Sequence, residues 1–194
     1  MPIFFTEAEA ILYVHVPKTG GSSVEALFLS SGYEVYFLHT QFAAITRTMA
    51  CSPQHYHADL LRNCFKLDQF DLIFMTVRHP VDRALSEYRM RNPEGDAPDA
   101  WIMEVLERQV ADPFHLDNHL RPQVEFHVPG ARVFRQEDRF DADWVRHMNG
   151  LLQRPLVHRP VARLQSKTTG LHFSLETTRR IEDFYSADMS FFGY

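Results

Sequence analysis

Residues 14 to 25, Val-His-Val-Pro-Lys-Thr-Gly-Gly-Ser-Ser-Val-Glu, carry the chain from an apolar run through a glycine-rich, lysine-bearing loop into a helix, and few folds accommodate that order. The run Ile11 to Val16 has the length and β-branched content of a buried strand, which Pro17 ends because proline cannot donate to a sheet ladder. Gly20 and Gly21 reach backbone angles closed to other residues, so consecutive N–H groups can face one concavity and bind an anion. Ser22 with Glu25 fits a capping box, which predicts a helix N-terminus behind the concavity with its positive dipole end toward the anion. Lys18 adds a full, mobile charge. The same residues also suit an ordinary strand-to-helix connection with a solvated lysine. They do not make a nucleoside-triphosphatase loop, in which the lysine follows the glycines instead of preceding them.

A second strand-to-helix unit lies at residues 71 to 91, Asp-Leu-Ile-Phe-Met-Thr-Val-Arg-His-Pro-Val-Asp-Arg-Ala-Leu-Ser-Glu-Tyr-Arg-Met-Arg. Leu72 to Val77 is unbroken and apolar, as a strand covered on both faces must be, and Arg78 stands at its carboxyl end, where open parallel sheets bind ligands. Pro80 suits the first turn of the next helix, whose buried stripe is Val81, Leu85 and Tyr88, with Ser86 off the stripe. An arginine fork at a strand end matches a phosphate monoester; a surface ion pair with Asp82 is the plainer use of the same residue.

Taken together, Pro-Lys-Thr-Gly-Gly-Ser-Ser before one helix and Val-Arg-His-Pro before another that carries a serine resemble the sulfotransferases that use 3′-phosphoadenosine 5′-phosphosulfate (PAPS). The form His-Val-Pro-Lys-Thr-Gly-Gly-Ser-Ser is most similar to the carbohydrate branch, which includes the heparan 2-O-sulfotransferases and short bacterial members. Segments 117–123, 133–138 and 188–194 extend the likeness along the chain. The resemblance implies a three-layer P-loop-like α/β domain over residues 1–194, with a mainly parallel central sheet flanked by helices. It places the 5′-phosphosulfate on Lys18, Thr19, Gly20, Gly21, Ser22 and Ser23, and the 3′-phosphate on Arg78 and Ser86. Arg163, Ser166 and Lys167 fall where the family brings a late loop over the nucleotide, although a basic surface loop reads the same way. The product would be 3′,5′-ADP, and no metal is expected.

Sulfuryl transfer needs a cation beside the leaving oxygen and a base for the acceptor hydroxyl. Lys18 fits the first role. Eleven histidines compete for the second, a role suited to a side chain that titrates near neutrality. The resemblance points to His55 and His57 in Ser-Pro-Gln-His-Tyr-His: Pro-Gln-His favours His55, while the His-x-His spacing of the heparan enzyme favours His57. Two loop histidines without function, or a zinc site lacking further spaced ligands, are the competing readings. His119 and Arg121, in a polar run between helices, are candidates for an acidic or sugar acceptor, unless Asn118 and Pro122 simply shape a loop there. His15 reads as a core histidine.

The 45% hydrophobic content is enough for one substantial core, and two cysteines are too few for a disulfide scaffold. A formal charge of −5 argues against a nucleic-acid binder but leaves room for a local basic site. Residues 92–99 read as a loop between helices; Trp101, Ile102, Val105, Leu106 and Val110 mark one amphipathic helix, Trp144, Val145, Met148, Leu151 and Leu152 another, and a third follows Ser174. With no signal-peptide pattern and no membrane-length apolar run, a cytoplasmic enzyme acting on a small-molecule or glycan hydroxyl is expected. A nucleotide kinase, which needs a triphosphate loop and magnesium carboxylates, and a silent nucleotide-binding protein are the alternatives.

Overall fold

The computed structural model describes residues 1–38, 48–91, 97–157 and 170–194. Five strands form one sheet: β1 (Ile3–Phe5), β2 (Ala10–Val14), β3 (Glu34–Tyr36), β4 (Leu72–Val77) and β5 (Arg132–Arg135), in the order β3-β1-β2-β4-β5. β2, β4 and β5 run parallel, with Ile11 beside Leu72 and Phe74 beside Arg132, while β1 lies antiparallel to both β2 and β3. The sheet is thus parallel where it is central and antiparallel at the β1–β3 edge. β2 stops two residues earlier than the apolar run suggests, leaving His15 and Val16 in the connection toward Pro17.

Alternate side chains of the central strands feed two core layers, as a pleated strand requires. Ile11, Tyr13, Leu72 and Phe74 pack with Val24, Leu27 and Phe28 of α1 (Gly21–Ser30) and with Trp144, Val145 and Met148 of α5 (Ala142–Asn149). Leu12, Val14, Met75 and Val77 pack on the other face against Ala58 and Leu61 of α2 (Ala58–Cys64) and Phe192 of α7 (Ser186–Phe192). Each such buried aliphatic or aromatic side chain contributes roughly 1.5–3 kcal/mol. Together these layers give a mixed α/β architecture with helices on both sides of the sheet.

A third cluster joins α3 (Pro80–Arg91), α4 (Pro98–Ala111) and α6 (Leu175–Phe184) through Leu85, Ile102, Leu106 and Ile181. Val110, expected on the buried stripe of α4, is 73% exposed in that helix's last turn. α6 begins at Ser174, whose side chain accepts from the Thr177 N–H. Among the described residues no helix is long and apolar enough to cross a membrane.

Parallel pairing of β2 with β4 brings two carboxyl ends side by side, one leading into Pro17–Gly21 and the other into Arg78. The second end is fixed by buried Gln123, whose side chain accepts from Arg78 N–H at 2.9 Å and donates to the Arg78 carbonyl at 2.8 Å. Asp188 of α7 in turn accepts from the N–H groups of Gln123 and Val124, both at 2.8 Å. Truncation by Asp188→Ala would strand both donors in the interior and is expected to destabilise the fold by about 2–4 kcal/mol. Urea unfolding tests this; a shift near zero would show that α7 does not anchor this segment.

Candidate functional site

The connection after β2 is shaped by left-handed backbone at two positions, φ 69° at Lys18 and φ 90° at Gly20. The buried Thr19 hydroxyl donates to the Val16 carbonyl at 2.8 Å and lies 2.7 Å from the Thr76 hydroxyl, which also meets Tyr13 Oη at 2.6 Å. That side chain therefore fastens the loop to the ends of β2 and β4. The backbone N–H groups of Thr19, Gly20, Gly21 and Ser22 find no acceptor among the described residues, so four donors stand together at the head of α1. A Cβ on Gly20 would come within 2.6 Å of the Phe140 ring, and one on Gly21 within 2.1 Å of His15 Nε2. Packing, as well as conformation, demands both glycines.

The expected capping box does not form. Gly20 is the N-cap residue and no side chain caps the helix. Glu25 faces inward, 6% exposed, where its carboxylate pairs with His15 Nδ1 at 2.7 Å and accepts from Gln54 Nε2 at 3.0 Å. Burial of that helix face overrode the local pattern, and the first-turn N–H groups stay free for an anion. Ser22 is exposed and Ser23 half-buried at this helix start.

Lys18 is half-buried, its ammonium donating to Met90 Sδ at 3.2 Å, a weak acceptor that leaves the charge largely uncompensated. Burial lowers its pKa below the ordinary lysine value; Glu87 opposes that shift, and the charges of Arg78 and Arg91 add to it. Arg78 is also half-buried, and its Nε–H is buried with no partner. Burial lowers its pKa too, against the favourable charges of Asp82 and Glu137. An orphaned buried guanidinium N–H is costly unless a ligand meets it. Ser86, half-buried on α3, lies two turns beyond.

Three histidines form a second group beside the loop, each with Nδ1 on a carboxylate. His55 meets Asp117 at 2.8 Å, His119 meets Glu87 at 2.7 Å, and His15 meets Glu25. The rings of His55 and His119 stand edge-on with centroids 4.8 Å apart, and those of His15 and His55 at 5.3 Å. Burial, together with the other two imidazoles and against the Asp117 hydrogen bond, pushes His55 down to about 3, so it is neutral at physiological pH. Burial alone would raise the Asp117 carboxyl; hydrogen bonds from His55 and Ser52 outweigh it and hold it at about 2. Glu87 behaves alike: burial raises it, and His119 and Arg91 bring it to about 2. With Asp117 accepting from Nδ1–H, the proton-accepting nitrogen of His55 is Nε2.

Asp117 reaches His55 from an unusual turn, in which Leu116, Asp117 and Asn118 are all left-handed at φ 52°, 60° and 64°. Asn118 braces the turn, donating from Nδ2 to the His55 carbonyl at 2.8 Å and accepting from Arg121 Nε at 2.9 Å. Arg121 also donates to Glu125 and to the Pro113 carbonyl, and its guanidinium lies over the Phe114 ring. Its donors are thus largely committed within the fold. His57 caps α2 as its N-cap residue, packs against Phe114 at 5.7 Å, and has a buried Nδ1 without a partner. His57 thus has no carboxylate partner among the described residues, unlike His55 and His119.

One ligand atom each from His55, Asp117 and His119 lies within 4.8 Å of the others, a set that could hold a metal ion. A metal taking Nδ1 of either histidine would have to displace a carboxylate from it. Arg163, Ser166 and Lys167 lie outside the described residues.

Sequence reasoning missed Asp117, Glu87 and Arg83. Arg83, 2% exposed, donates from Nε to the Pro17 carbonyl at 3.1 Å and from Nη2 to the His119 carbonyl at 2.6 Å, so one side chain ties the loop to the histidine group. Its one local signal is a charged residue next to the apolar stripe of α3.

No curated protein and no solved structure matches the chain. A family model described as the sulfotransferase family matches residues 1–194. That match spans both strand ends and every described side chain gathered around them, and the chain belongs to the sulfotransferase family.

Proposed function

We propose that this sulfotransferase takes its sulfuryl group from PAPS and delivers it to a hydroxyl of a carbohydrate or glycosylated small molecule, as one domain spanning residues 1–194 of the heparan 2-O-like branch. The observation that carries this reading is the pairing of two anion seats across adjacent strand ends: free N–H groups with Lys18 at one, and the orphaned Arg78 Nε–H at the other. A donor with a 5′-phosphosulfate and a 3′-phosphate presents two anionic ends that fit them. Once bound, that donor supplies an activated sulfuryl group on a phosphate leaving group.

The remaining chemistry belongs to the chain. The Thr19–Ser22 amides and the α1 N-terminus hold the 5′ end by directed hydrogen bonds, with the Thr19 side chain anchoring the loop. Lys18, held without a carboxylate of its own among the described residues, stabilises charge on the leaving oxygen. His55 Nε2 removes the acceptor proton, and Asp117 both fixes the tautomer and stabilises the cation that results. His119 lines the acceptor side. A second reading exchanges the roles of His55 and His119, since Glu87 holds His119 in the same way and its charge also reaches Lys18.

Calorimetric titration with 3′,5′-ADP, 5′-AMP and magnesium ATP tests the donor. Tight binding of the first alone is expected; preference for magnesium ATP would overturn the reading in favour of a phosphotransferase. Arg78→Ala is expected to weaken 3′,5′-ADP by about 2–4 kcal/mol, as when a charge-assisted contact to a buried phosphate is removed. Equal affinity in wild type and variant would remove Arg78 from the site. Labelled sulfate transfer to a panel of glycans and hydroxylated metabolites identifies the acceptor.

A further inference from the structure

The arginines of α3 divide by what the fold asks of them. Arg83 is spent on two carbonyls, and Arg91 pairs with Glu87 at 2.6 Å. Arg89 is different. It forms no ion pair among the described residues, its Nε–H is buried with no partner, and its hydrogen bond to the Leu171 carbonyl is long, 3.4 Å.

Its place on the helix gives that vacancy a direction. Asp82, Ser86 and Arg89 follow one another at spacings of four and three, so they share one face of α3. Arg78 stands four residues before Asp82, at the end of β4. The charges of Arg78 and Arg89 act on each other, Arg89 lowering the Arg78 pKa behind the larger effect of burial. Arg78, at the strand end that leads into α3, and Arg89, on the Ser86 face of that helix, each carry a buried Nε–H with no partner. The nearest acidic influences on Arg78 are Asp82, which is exposed, and Glu137, whose Oε1 already accepts from His79 N–H at 2.7 Å. Two buried N–H donors left unmet are costly in the empty protein. A dianion lying between them satisfies both, and a phosphate monoester has three terminal oxygens with which to do so.

We infer that Arg89 is a second guanidinium of the 3′-phosphate seat, so that the phosphate is held between Arg78 and Arg89 beside the Ser86 hydroxyl. This rests on the donor reading above and adds a specificity-determining residue to it. Arg89 makes the enzyme discriminate a 3′-phosphorylated nucleotide from the same nucleotide without that phosphate. Its long contact to Leu171 also places the seat next to the start of the last described segment, residues 170–194.

The test is a pair of titrations, 3′,5′-ADP and 5′-AMP, on wild type, Arg89→Gln and Arg89→Lys. Arg89→Gln should weaken 3′,5′-ADP by about 10- to 100-fold while 5′-AMP changes by less than about twofold. Wild-type affinity for 3′,5′-ADP in this variant, or an equal loss for both nucleotides, would overturn the inference. If Arg89→Gln does not fold, Arg89→Lys decides, because it keeps the charge and loses the planar fork: a loss confined to 3′,5′-ADP supports the seat and no loss overturns it. A wild-type protein that binds both nucleotides equally defeats the donor reading itself, and this inference with it. Arg89 alone is at fault when wild type discriminates and the variants do so equally well.

Discussion

His55→Ala is expected to lower turnover by about a thousandfold while 3′,5′-ADP affinity stays at the wild-type level, the size of effect expected for a positioned general base. In the proposed roles His55 acts on the acceptor hydroxyl and the donor is held by other residues, so loss of turnover without loss of nucleotide binding would be the signature of that role. Asp117→Asn should keep the imidazole in place but unsettle its tautomer, lowering turnover while 3′,5′-ADP affinity is kept. Because burial pushes His55 down to about 3, its accepting form persists on the acid side of neutrality. The wild-type kcat profile should therefore show no rising limb near pH 6.5 from this group. His57→Ala should leave turnover nearly intact, since its ring packs on Phe114 and among the described residues no carboxylate orients it. Activity surviving in His55→Ala but lost in His119→Ala would assign the proton to His119, and survival there with loss in His57→Ala would assign it to His57.

Lys18→Met is expected to lower kcat by about 100- to 1000-fold, the range for removing a group that meets charge developing in the transition state. The methionine keeps most of the apolar stem that packs near Met90 and discards the ammonium. pH gives a second readout. A lysine with a lowered pKa loses its proton as pH rises to a value below its ordinary 10.5, so the alkaline limb of the wild-type kcat profile should fall early. Lys18→Arg keeps a charge that does not titrate in this range and should move that limb upward. An unchanged alkaline limb in Lys18→Arg, or near-normal kcat in Lys18→Met, would exclude Lys18 from the leaving-group role.

Much of the scaffold was legible because its signals are local. Leu72–Val77 announced a buried strand by continuous apolarity and forms β4 with those bounds. Lys18, Gly20, Gly21 and Arg78 sit at strand ends, where sequence spacing fixes geometry within a few residues. The short strands β1 and β3 gave no comparable signal, having three residues each. The histidine–carboxylate pairs were illegible for a different reason: His55 and Asp117 are 62 residues apart and His119 and Glu87 are 32 apart, so only tertiary packing joins them. Glu25 shows the converse failure. It had a strong local pattern, and burial beside His15 redirected its carboxylate. The family-like segments 117–123, 133–138 and 188–194 acquire a physical meaning as well, since Gln123 and Glu137 accept from the backbone N–H groups of Arg78 and His79, and Asp188 holds Gln123 in place by accepting from its N–H.

The left-handed run Leu116-Asp117-Asn118 has a consequence for how this enzyme could be altered. Non-glycine residues held in that conformation each cost up to about 1–3 kcal/mol, and here the cost is offset by Asn118, Arg121 and Ser52. Glycine at 118 would relieve the backbone cost but remove the Asn118 bonds to the His55 carbonyl and Arg121, so the strain and the contacts that hold it come as one unit. Selection for heat resistance would thus tend to leave this turn unchanged and find its gains elsewhere in the fold.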